Sequence, residues 1–287
     1  PLTAVLQEEQ IASQPSGETG ADGWSAAFYD LPDMNVLQVL QVGKEAIYCI
    51  CTQEDDAGKQ LCIMDISSRE CQVPEEITAN QNIIALNEGA DGSICVLQTD
   101  IRTGRGRVCE WLRMDAGGGI VSEIDITEAL SGREELPDLI IPLEMQMTDD
   151  GDIWIRIYDG ETNVRKLIAV NAQGERQCEI SIEAELCHLI AGTDGSIFCL
   201  TKEYAVSGGD WSLQEIDEEK RALRPYMEVP LDAPNVLPVS DDNGVLLISD
   251  GTALCQVDME VKTCERLLDW SACGIAAEEL QGMARLS

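Results

Sequence analysis

The chain has 287 residues, enough for one large repeat domain or two ordinary ones. Its 19 basic and 53 acidic residues give a net charge of −34, a field that repels nucleic-acid backbones and anionic membrane surfaces. An apolar content of 44% excludes wholesale disorder, and no run of about 18 apolar residues marks a membrane-spanning helix.

The chain starts at Pro1 rather than Met, which reads as a trimmed product whose secretion signal has been removed. Ser13 to Gly23 are polar and rich in Gly and Ser, so residues 1–25 are expected to be a flexible tether ahead of a folded part, 26–287. Ala26 to Leu31 reads as an orphan outer strand. A four-strand unit follows at 36–77, with Gly43-Lys44-Glu45-Ala46 before Ile47-Tyr48-Cys49-Ile50. In the next unit, 82–128, Asp91-Gly92-Ser93-Ile94-Cys95-Val96 introduces a phrase that recurs. It returns as Asp150-Gly151-Asp152-Ile153-Trp154-Ile155 in 143–184, as Asp194-Gly195-Ser196-Ile197-Phe198-Cys199 in 187–230, and loosely as Asn243-Gly244-Val245-Leu246-Leu247 in 235–270.

Each phrase is a tight turn, with Gly supplying positive φ and Asp capping the turn, followed by a β-branched or aromatic run. A polar loop then leads to a strand ending in Asp65, Asp115, Asn171, Asp217 or Asp258, and a fourth strand follows. Four-stranded units of this length predict an all-β fold, a β-propeller with five complete four-stranded antiparallel blades. Leu280 to Ser287 matches the inner strand that precedes an Asp-Gly turn. The expectation is a sixth unit beginning at 280–287, and hence a fragment of a larger propeller.

Asp149-Asp150-Gly151-Asp152-Ile153-Trp154-Ile155 resembles the blade motif of secreted bacterial propellers of the NHL and two-component-regulator type. The layout resembles propeller regions of Gram-positive gut-bacterial surface lipoproteins, some joined to solute-binding domains. The resemblance implies a binding or scaffolding module outside the cell or at its surface, lipid-anchored through a removed N-terminus.

Twelve cysteines in an exported chain raise the question of disulfides. Cys49 and Cys199 hold equivalent strand positions, as do Cys71, Cys178 and Cys264. Equivalent positions in separate blades are too far apart to bridge, so these read as small core hydrophobes. Cys62 with Cys71, and Cys255 with Cys264, are nine residues apart across a hairpin and form two candidate cross-strand pairs. Cys49-x-Cys51 puts two sulfurs on one strand face. Without a His or a second pair it reads as packing, and no metal is expected.

His188, the sole histidine, is placed on the inner strand of the fourth unit; a structural role outweighs that of a general base, and with Arg102, Arg105 and Arg107 it makes up the candidate ligand-binding set. Arg102, Arg105 and Arg107 concentrate positive charge in one loop of the second unit, suited to carboxylates or anionic sugars. Glu54-Asp55-Asp56 and Asp149-Asp150-Gly151-Asp152 lack the full calcium-loop pattern and read as solvated turns. Trp111 and Trp211 read as packing. No catalytic residue and no cofactor are assigned. The function expected is recognition of a protein, peptide or glycan through propeller loops. The alternatives are a carbohydrate-processing enzyme with carboxylates at a central channel, which needs a pair about 5–10 Å apart, or a spacer for a solute-binding domain.

Overall fold

The computed structural model describes residues 2–8, 24–29, 34–42, 46–53, 60–68, 70–74, 82–88, 93–115, 119–148, 150–184, 186–192, 196–203, 210–231, 236–240, 245–273 and 280–286. Strands β1 (Leu2–Glu8) and β2 (Trp24–Tyr29) come first. Sheets then follow one another along the chain: β3 (Met34–Val42), β4 (Ala46–Gln53), β5 (Gln60–Asp65) and β6 (Cys71–Gln72), then β7 (Asn82–Glu88), β8 (Ile94–Arg102), β9 (Gly106–Met114) and β10 (Ile120–Asp125). A short helix, α1 (Thr127–Ser131), precedes β11 (Ile140–Met147), β12 (Ile153–Asp159), β13 (Val164–Val170) and β14 (Arg176–Ile182). The fourth sheet is β15 (Leu186–Ala191), β16 (Ile197–Lys202), β17 (Trp211–Asp217) and β18 (Ala222–Val229). The fifth is β19 (Leu237–Ser240), β20 (Val245–Ser249), β21 (Ala253–Asp258) and β22 (Thr263–Asp269), and β23 (Leu280–Leu286) comes last.

Each of the five sheets keeps its four strands in chain order, so each is an antiparallel meander. The fold is the all-β propeller of four-stranded blades that the repeat predicts. Burial follows position in the blade. The second strands are apolar on both faces: Ile94 to Leu97, Ile153 to Ile155 and Ile197 to Leu200 are all buried. The outer strand β10 alternates between half-buried and exposed residues, as a strand with one wet face must. Trp154, Trp211 and Trp270 are among the largest fully buried side chains, and Trp111 is 5% exposed, so these four tryptophans pack the core.

The strand-ending Asp and Asn side chains are turn chemistry throughout. Asp65 Oδ1 accepts the Ser67 and Ser68 amides at 2.9 and 2.6 Å, and Asp115 Oδ1 accepts that of Gly119 at 2.9 Å. Asn171 Oδ1 accepts those of Gln173 and Glu175, Asp217 Oδ1 that of Lys220, and Asp258 Oδ1 those of Glu260 and Val261, all at 2.8–3.0 Å. In the Asp-Gly phrase at 150–151, Gly151 has φ +84° and its amide donates to Thr148 O at 3.0 Å. The other copies, Asp91-Gly92, Asp194-Gly195 and Asn243-Gly244, lie outside the described residues, as do Glu54-Asp55-Asp56 and Asp149.

Two compact units emerge: residues 74–228, and residues 1–73 with 229–287. In the first, the inner strands β7 and β15 both lie against β11. In the second, a three-stranded sheet differs from the sequence reading. Leu2–Glu8 is not part of a tether. It is β1, pairing antiparallel with β2 and parallel with β23, and β23 in turn lies against β3 and β19. Its parallel partner, β23, is nearly the whole chain away, beyond the reach of any local pattern. Residues 9–23 lie outside the described residues. Helix α1 also interrupts the strand pattern; its five residues are too few to show a helical period.

Candidate functional site

The arginines of the basic loop of the second blade pair with their own chain. Arg102 pairs with Glu110 and Glu123, and Arg105 Nη1 lies 2.6 Å from Asp125 Oδ2, with Nη2 donating to Glu134 O at 2.9 Å. Arg107 Nη1 donates to the carbonyls of Pro137, Asp138 and Ile140 at 3.2–3.5 Å. The three guanidinium groups thus clamp the β8–β9 hairpin to β10 and to the segment after α1. Their forks meet acceptors of their own chain.

His188 lies in a different setting. Its Nδ1 is 3.8 Å from Glu144 Oε1, and Arg156 Nε donates to Glu144 Oε2 at 2.9 Å. Burial pushes the Glu144 carboxyl up, but His188 and the Arg156 guanidinium outweigh it and hold the group below the ordinary range. The His188 ring stacks tilted on Trp211 at 5.8 Å, and Lys202 Nζ sits 5.8 Å from the centroid of the same indole.

Local backbone irregularity creates this cluster. Ile141 faces Tyr158 and Pro142 faces Ile157, but Glu144 faces Arg156, so Leu143 is the extra residue of a bulge. The bulge turns Glu144 onto the face that carries Ile141, Arg156 and Tyr158. Exposed apolar side chains run along this strand and the turn before it, Leu139 at 53%, Ile141 at 38% and Leu143 at 39%. Arg165 lies over the Tyr158 ring at 5.8 Å. A charged cluster therefore adjoins an apolar stripe on one blade face. Sequence reasoning found His188 but not Glu144, Arg156 or Lys202, because the bulge leaves no mark in the residue pattern.

The first blade carries a second concentration of chemistry. Cys49 and Cys51 share one face of β4, and Cys62 stands opposite Cys49 on β5. Cys71 faces Met64 on β6, one diagonal step from Cys62, and packs against the other three. The sulfurs of Cys49, Cys51 and Cys62 lie within 4.8 Å of one another, and those of Cys49 and Cys51 are 3.4 Å apart. Hydrogen bonds from Cys49 and then Cys62 hold the Cys51 thiol below its ordinary range, while burial and Cys62 push Cys71 up to about 12. In the fifth blade Cys255 and Cys264 repeat the diagonal relation, Cys264 facing Val257. The eleven cysteines whose side chains are described are free thiols.

No family model matches the chain, and no curated protein matches it. Solved structures do share its fold. A DUF4784 family protein from Bacteroides caccae superposes with a TM-score of 0.54 at 14% identity, covering 90% of this chain and 66% of that one. A calcium-binding protein, regucalcin, from Agrobacterium tumefaciens gives 0.53 at 11% identity, covering 83% and 75%. An oligogalacturonate lyase in complex with manganese gives 0.49 at 16% identity, covering 78% of this chain; the chain spans 62% of that enzyme's length.

Proposed function

We propose that this chain is a non-enzymatic binding or scaffolding propeller that works outside the cell, holding a protein, peptide or glycan ligand. The propeller hosts both enzymes and binding proteins, so the reading rests on the site rather than on the fold. The observation that carries it is the apolar stripe Leu139, Ile141 and Leu143 running into the Glu144–Arg156–His188 cluster. Exposed apolar surface beside a few fixed polar groups suits recognition of a peptide or protein segment, with the stripe supplying contact area and the charges supplying orientation. The net charge of −34 argues against nucleic acid as the ligand. Among the described residues no helix is long and apolar enough to cross a membrane.

The second reading, a carbohydrate-processing enzyme, draws on the contact between Glu144 and His188. Arg156 weighs against it, because a carboxyl held ionised by a guanidinium is poorly poised as a general acid. Peptide and glycan arrays with the purified chain, compared with Leu143→Asp and His188→Ala, test the two together. Binding that weakens in both variants supports recognition. Glycoside turnover by the wild-type chain that is lost in Glu144→Gln would sink it.

A further inference from the structure

We propose that Cys49, Cys51, Cys62 and Cys71 form a thiolate site for a single d10 metal ion, Zn²⁺ or Cu⁺. A structural zinc site takes four ligands in a tetrahedron at about 2.3 Å for sulfur, which sets the sulfurs roughly 3.8 Å apart. Three sulfurs within 4.8 Å of one another, one pair at 3.4 Å, already lie near that spacing. The backbone register explains how. Residues two apart on β4 present both sulfurs to one face, and Cys62 is the direct cross-strand partner of Cys49. Cys71 comes from the next strand to the rim of the same cluster. Strands hold these donors in place, as a preformed site requires.

The surroundings fit an ion of this class. Cys49 and Cys62 are fully buried and Cys51 is 2% exposed, so the site is dry, and soft sulfur donors select zinc or cuprous ion over magnesium or calcium. Cys71 is only half-buried and leaves a way in from the outer side. The fifth blade supplies an internal comparison. Cys255 and Cys264 repeat the diagonal pair of Cys62 and Cys71, but the residue facing Cys255 across the preceding strand is Ile248, where Cys49 faces Cys62. In the fifth blade the place of Cys49 is therefore apolar, and the diagonal pair lacks a third sulfur there.

The test is metal uptake by the whole chain, reduced and stripped with chelator. It is titrated with Zn²⁺, with Cu⁺ under anaerobic conditions, and with Co²⁺ as an optical probe. One equivalent of Zn²⁺ or Cu⁺ per chain is expected, and whichever ion resists the stronger competitor identifies the occupant. Bound Co²⁺ should show sulfur-to-metal charge transfer and an intense tetrahedral visible band. Uptake should be lost in Cys51→Ser and in Cys62→Ser and kept in Cys255→Ser. Alkylation of the wild-type chain, read by peptide mass spectrometry, needs no variant to fold. The metal should slow labelling of Cys49, Cys51, Cys62 and Cys71 and leave Cys255 and Cys264 unchanged. Three results overturn the proposal: equal labelling of the first four with and without metal, uptake that survives Cys51→Ser and Cys62→Ser, or failure of the fully reduced chain to take up either ion.

Discussion

A single added methyl group separates two kinds of glycine in this protein. Gly104 and Gly174 both adopt positive φ, +84° and +83°, at hairpin turns. A Cβ on Gly104 would meet nothing within 4 Å, whereas one on Gly174 would stand 2.7 Å from Ile124 Cγ2 and 3.3 Å from Asp125 O. The first substitution isolates backbone strain and the second adds collision with a stiff β-branched neighbour. Gly104→Ala is expected to lower stability by about 1–2 kcal/mol, and Gly174→Ala by about 2–5 kcal/mol once overpacking is included. Denaturant unfolding of the two variants side by side measures the difference, and equal losses would mean that Ile124 moves aside. Asn163, Arg221 and Lys262 take the same left-handed conformation without being glycine, each in the turn before the last or the third strand of a blade. A scan for Gly in turns therefore misses these three.

At the scale of strands, Glu144 on β11 and His188 on β15 connect two neighbouring blades. Because the Glu144 carboxyl is lowered in the folded chain, its contribution to stability is fully present above its ordinary value of 4.5 and is lost as pH falls through the folded value. The wild type should therefore exceed Glu144→Gln in thermal midpoint at neutral pH, and the gap should close as the solution is acidified below that ordinary value of 4.5. A gap that stays constant with pH would assign the effect to packing instead. The strands themselves were legible in the sequence, since alternation, the Asp-Gly phrase and the strand-ending acids each follow from local chemistry. The bulge at Leu143 was not legible, and neither was the company that Arg102, Arg105 and Arg107 keep, because both depend on partners in other strands. The cysteines show the same divide. Cys49-x-Cys51 announces a shared face, but only pairing β4 with β5 brings Cys62 onto it.

Over the whole molecule, 53 acidic against 19 basic side chains repel one another in the compact state more than in the extended one. Raising salt from about 20 mM to about 500 mM shortens the Debye length from roughly 20 Å to a few ångströms and should raise the thermal midpoint. A midpoint that falls with salt would mean that ion pairs such as Arg133 with Glu161 matter more than the net field. The sheet of β2, β1 and β23 has a consequence for how the chain is made. Leu2–Glu8 finds its parallel partner only in Leu280–Leu286. At roughly 5–20 residues per second, a ribosome exposes β1 for a time on the order of tens of seconds before β23 emerges. Throughout that interval one edge of β1 has only water, or a chaperone, to satisfy its amides and carbonyls. Synthesis that stalls before residue 280 would thus release five blades' worth of folded repeat still carrying an open strand edge.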